Sequence, residues 1–159
     1  MKKKQIRKGN NLSIPELWQH EPNFAALRLT KTDRLGMPPK TEDISELRRR
    51  LGQLFHERFQ EQYGQLEVKC DIKRDTFQKM MRYKNGRNIT YTMLAKFCIG
   101  AGLTESEANE LFLLTDHHLN KQNQCDYILL CTLKNGDDIS DYDSDMQEYG
   151  YGSVLSKAD

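Results

Sequence analysis

The chain has 159 residues, 37% of them hydrophobic, with 24 Lys and Arg against 23 Asp and Glu, which suits one soluble domain with ragged ends. No run of even 15 apolar residues occurs, which excludes a membrane span, and the Lys-rich start MKKKQIRKGNNLSIPELW leads into no apolar stretch with a cleavage site, so a cytoplasmic protein is expected. The near-neutral total hides a split: residues 1–100 hold 21 basic and 11 acidic side chains, a net of +10, whereas residues 101–159 hold 3 and 12, a net of −9. Clustered Lys and Arg gain free energy by releasing counterions from phosphates, so the basic half points to nucleic acid.

Residues 1–40 read as a basic, partly disordered arm. Lys2, Lys3, Lys4, Arg7 and Lys8 show no hydrophobic period, and Leu17, Trp18, Phe24, Leu27 and Leu29 suffice for a short helix or two. Pro15, Pro22, Pro38 and Pro39 punctuate this stretch and Pro occurs nowhere after it, which sets a boundary near residue 40. Beyond it, Thr41 and Asp43 offer N-caps, Asp43 and Glu46 form a capping-box pair, and Leu47, Leu51, Leu54, Phe55 and Phe59 recur at helical spacing. The expectation is an amphipathic helix of about 15 to 20 residues with Arg48, Arg49, Arg50, Glu57 and Arg58 outward, stopping near Gly64. Leu66, Val68 and Cys70 then leave room for a short element, and Asp71 suits a left-handed turn.

In IKRDTFQKMMRYKNGRNIT, residues 72–90, Phe77, Met80 and Met81 share one side of a helix and Arg74, Gln78, Lys79 and Arg82 the other, before the Asn85-Gly86 turn. Residues 69–87 carry seven Lys/Arg and two Asp, a net of +5. Thr90 caps a helix with Met93, Leu94, Phe97 and Cys98 inward, and Gly102 ends it. Thr104 and Glu107 make a capping box before Ala108, Leu111, Phe112 and Leu114. A short helix around Tyr127–Leu133 stops at Asn135-Gly136, Asp138 caps a last helix with Ile139, Tyr142, Met146 and Tyr149, and GYGSVLSKAD reads as a frayed tail. The fold class expected is all-α, since no stretch alternates with period two.

Cys70, Cys98, Cys125 and Cys131 lack CxxC spacing and read as reduced, mostly buried residues. Asp116, His117 and His118 read as a polar loop, not a metal site. Asp141, Asp143 and Asp145 imitate a calcium loop, but Met146 stands where its Gly is required, and an acidic helix start explains them. No nucleophile elbow, zinc-protease or P-loop signature is present, so no enzyme, no metal and no cofactor is expected.

Taken in order, the turn at Asp71, the helix with an apolar back and basic front, the NG loop and the helix ending GAGL in DIKRDTFQKMMRYKNGRNITYTMLAKFCIGAGLT resemble the second half of the Cro/C1-type (XRE) helix-turn-helix domain of the lambda-repressor-like fold. GLTESEANELFLLTDHHL, DYILLCTLKNG and EYG resemble a helical extension on such regulators, and the likeness spans about residues 44–150. Glu67 stands near the family's small residue and Asp71 replaces its turn Gly. The expected organisation is a basic arm at 1–40, a DNA-binding domain at 41–104 and a helical extension at 105–150, the last two as the resemblance implies, with a tail at 151–159. The resemblance implies sequence-specific binding of double-stranded DNA by the helix around 73–83, in a bacterial or mobile-element transcriptional regulator. Arg74, Asp75, Gln78 and Lys79 would face base edges, since Arg pairs with guanine, Gln with adenine and Asp with cytosine. Lys73, Arg82, Lys84, Asn85, Arg87 and Tyr91 would hold phosphates. Residues 105–150 would face away from DNA and serve a homodimer or protein partner. The rival reading is a protein-interaction adaptor or antitoxin-like partner working through the acidic half. RNA binding is disfavoured because no aromatic stacking sheet is evident.

Overall fold

The computed structural model describes residues 44–82, 89–115 and 117–156. Among these residues the fold is all-α, with seven helices and no strand: α1 Ser45–Phe59, α2 Tyr63–Cys70, α3 Arg74–Arg82, α4 Tyr91–Gly100, α5 Glu105–Leu113, α6 Gln124–Asn135 and α7 Ile139–Glu148. The expectations for residues 1–43, including the caps at Thr41 and Asp43, lie outside the described residues.

The apolar stripe of α1 is as expected: Leu47, Leu51, Leu54, Phe55 and Phe59 are buried. Its start and end differ. Ile44 occupies the N-cap without a side-chain bond, and Glu46 pairs instead with Arg49. The helix stops at Phe59 rather than near Gly64, because Gln60 and Glu61 both adopt positive φ, 53° and 57°. That reversal lets a new helix start at Tyr63, so the short element expected around Leu66–Cys70 is the eight-residue α2, with Gly64 in its first turn. Arg48 also departs from the outer face, its Nε donating to the Met80 carbonyl at 3.2 Å and tying α1 to the last turn of α3.

Helices α4 and α5 start as their cap residues predict. Thr90 Oγ1 accepts from the Met93 amide and opens α4, and Gly102 follows that helix at φ 66°. Thr104 and Glu107 complete a reciprocal capping box on α5. Asn123 caps α6, which runs 12 residues to a left-handed Gly136, and Asp138 with Asp141 forms a second capping box on α7. Each such cap contributes about 1 kcal/mol by satisfying otherwise orphaned backbone amides.

Helix α4 is the central post. It packs against α2, α6 and α7, which explains why Tyr91, Leu94, Ala95, Phe97, Cys98 and Ile99 are all buried rather than one face only. The approach of α4 to α2 is so close that a Cβ on Gly100 would lie 2.8 Å from the Lys69 carbonyl carbon. The small residue that brings two helices together thus sits on α4 and not on α2, where Glu67 is exposed. None of the four cysteines is in a disulfide and all are buried, as expected.

The chain after α7 is not a frayed tail over the residues described. Tyr151 and Val154 are buried and join the same core as the helices. Asp143, expected only to complement a helix dipole, accepts from the Val154 amide and the Ser153 hydroxyl, both at 2.8 Å, and holds this segment against α7. An acidic side chain in mid-helix served packing here, which its neighbours in sequence do not reveal.

Candidate nucleic-acid interface

Helices α2 and α3 are joined by three residues, Asp71, Ile72 and Lys73. Asp71 takes the left-handed conformation, φ 57° and ψ 39°, as its residue type allows, and Ile72 turns inward to full burial. The reversal therefore projects α3 from the body with its apolar side fastened. Phe77 stacks nearly parallel to Phe97, with centroids 6.1 Å apart, and lies 4.8 Å from Phe55; Met80 is fully buried beside it. An aromatic ring so enclosed contributes several kcal/mol, about 3 to 5 when truncated to Ala, so α3 has little freedom to roll.

With Phe77 and Met80 inside, Lys73, Arg74, Asp75, Lys79 and Arg82 are exposed and Gln78 half-buried. The Arg74 guanidinium lies over the Tyr63 ring, 5.0 Å from its centroid. A flat aromatic under a flat cation narrows the rotamers of Arg74 and favours a fixed pose. Asp75 and Lys79, one turn apart, pair at 3.2 Å with 79% and 50% of their side chains exposed. Such an exposed pair is worth only about 0.3–0.5 kcal/mol, so both ends are readily taken over by a ligand. The same charges suit the helix dipole, with Asp75 in the first turn and Lys79 and Arg82 in the last.

Lys84, Asn85 and Arg87 lie outside the described residues. Tyr91 must be corrected. Its ring is buried, 5.1 Å from Phe112, and its hydroxyl donates to Asp126 Oδ1 at 2.6 Å. Asp126 is itself fully buried and takes further bonds from His117 Nε2 and the Asn120 amide. Burial pushes the Tyr91 hydroxyl well above its ordinary pKa, and the Asp126 carboxylate it faces adds to the effect. Tyr91 thus fastens α4 to α6 and is unavailable to a phosphate.

Two side chains that bear on this region carry weak signals in the sequence. Tyr63 is eleven positions from Arg74 and on another helix. Lys96 interrupts the apolar run TMLAKFCIG, and a cation in such a run is the signal for a buried partner. Its ammonium, 1% exposed, donates to Asp71 Oδ2 at 2.9 Å and to the Val154 carbonyl at 3.0 Å. Burial alone would raise the Asp71 pKa, but Lys96 and the Ser156 amide and hydroxyl outweigh it and hold the carboxyl below its usual value.

Among the described residues no group of His, Cys, Asp and Glu is placed to hold a metal ion, and no helix is long and apolar enough to cross a membrane. What α2, the turn and α3 define is a class of site: a short helix, clamped from behind and charged in front. Compared with known proteins, the chain matches no family model, no curated protein and no solved structure.

Proposed function

We propose that this chain is a non-enzymatic, cytoplasmic, sequence-specific double-stranded DNA-binding protein, a transcriptional regulator of the Cro/C1-type helix-turn-helix kind that inserts α3 into the major groove. The observation that carries the reading is the exposed row Lys73, Arg74, Asp75, Lys79 and Arg82 on a helix whose back is pinned by Phe77 and Met80. An α-helix fits the major groove, and these side chains supply the donors and the acceptor that base edges there require.

In this reading Arg74, steadied by Tyr63, reads guanine, and Asp75, Gln78 and Lys79 read neighbouring edges once the Asp75–Lys79 pair opens. Lys73 and Arg82, with Lys84, Asn85 and Arg87 that follow in sequence, hold phosphates and set the register without reading sequence. Selection from random duplexes, followed by fluorescence polarisation at several salt concentrations, tests the proposal. Arg74→Ala should lose about 1–3 kcal/mol of discrimination at one base position, whereas Arg82→Ala should weaken all duplexes alike and flatten the salt slope. Absence of duplex affinity at low salt would sink the reading, and indistinguishable effects of the two substitutions would remove Arg74 as a reader.

A further inference from the structure

We infer that residues 151–156 are an intramolecular strap that positions the turn before α3, with Lys96 and Asp71 as its positioning residues. The inference about the turn stands on geometry alone, and only its consequence for DNA rests on the function proposed above.

The strap is held at its middle and at Ser156 by charged groups. On one side Asp143 of α7 accepts from the Ser153 hydroxyl and the Val154 amide. On the other, the Ser156 amide donates to Asp71 Oδ2 at 2.5 Å, and the Ser156 hydroxyl reaches the Asp71 carbonyl at 3.4 Å. Within the strap Tyr151 and Val154 are buried, and the Val154 carbonyl accepts from Lys96. One ammonium therefore bridges the strap and the turn, which lie 85 residues apart along the chain when counted from Asp71 to Ser156.

Burying a lysine almost completely is unfavourable unless its donors are used. Here the partners are one carboxylate in the turn and one carbonyl in the strap, so neither can leave without stranding the charge beside the other. Asp71 is also the residue that bends the backbone between α2 and α3. Its side chain is thus fixed by the strap, while its main chain sets where α3 begins. Phe77, Met80 and Arg48 restrain the middle and end of α3. The strap acts on its beginning, beside Lys73, Arg74 and Asp75.

Hydrogen exchange of the full-length chain tests this, reading peptides that cover 70–80, 148–156 and, as reference, 47–55. Ser156→Pro removes the amide donor to Asp71, and the hydroxyl with it, at an exposed position outside the helices. It should speed exchange in 70–80 by about tenfold, the scale of one charge-assisted hydrogen bond, and leave 47–55 unchanged. Asp143→Ala releases the strap from the far side and should speed exchange in both 148–156 and 70–80. Loosening of 148–156 with no change in 70–80 would overturn the inference, as would an equal rise in 47–55. Should the wild-type chain bind duplex DNA, Ser156→Pro should weaken binding several-fold with the salt slope unchanged, since no phosphate contact is removed. Should it bind none, the DNA reading falls and the exchange result still decides the strap.

Discussion

The contact between α2 and α4 makes Gly100→Ala a sharp perturbation, because the new methyl has no room. Its Cβ would stand 2.1 Å from the Cys70 sulfur and 2.8 Å from both the carbonyl carbon and oxygen of Lys69. The sulfur ends a rotatable side chain, but the Lys69 backbone retreats only if α2 moves with it. Alanine favours helix over glycine by about 1 kcal/mol, and less at a helix end. Overpacking a close backbone contact costs about 1–3 kcal/mol. Because the clash is with backbone, the cost falls in the upper part of that range, about 2–3 kcal/mol, and the net is a loss of about 1–2 kcal/mol, which lowers Tm by about 2–8 °C in a chain of this size. Gly64 supplies the control: it is helical, exposed, and a Cβ there meets nothing within 4 Å. Gly64→Ala should be neutral or stabilising by up to about 1 kcal/mol. Urea unfolding followed by far-UV circular dichroism reads both, provided the slope m is unchanged. Equal shifts for the two variants, or a Gly100→Ala protein as stable as its parent, would refute the close-approach argument.

Thr104→Ala should cost about 1 kcal/mol in the same urea assay, since it removes the bond to the Glu107 amide, and Thr104→Ser should restore most of it. The folded Asp71 carboxyl is held below its ordinary 3.8, so the stability it adds is fully present above that value and is lost as pH falls through the lower folded value. Acid titration of the unfolding free energy should therefore show a shallower acid limb in Asp71→Asn; an unchanged limb would show that the carboxylate is not favoured by Lys96 and Ser156. Burial pushes the Cys70 thiol up to about 12 and that of Cys98 higher still. The native protein should thus show no fast-reacting thiol toward an aromatic disulfide reagent near neutral pH, and four after unfolding, with a native burst counting against the packing described.

Features written in local chemistry were legible in the chain. The stripe Leu47 to Phe59, the Thr90 cap, the Thr104–Glu107 box and the stops at Gly102 and Gly136 depend on residues within one or two turns of each other, and each is present. So is the inward side of α3, because Phe77 and Met80 lie three apart on a helix. The errors fall where partners are distant. Nothing beside Tyr91 announces that its hydroxyl meets Asp126, 35 residues on. Gly64 looked like a helix stop, yet two positive-φ residues before Tyr63 performed that office. GYGSVLSKAD reads as a frayed tail, yet Tyr151 and Val154 are buried against helices far from them in sequence.

The opposed charge of the two halves, the all-helical class and the caps that bound the helices were determined by the sequence itself, because charge is a sum and caps and stripes are short-range. Tertiary structure alone decided which faces remain exposed. A buried group is selected by what surrounds it, and Lys96 shows the reason: its ammonium is tolerable only where Asp71 and Val154 converge, two positions 83 residues apart that the folded core brings to either side of one nitrogen.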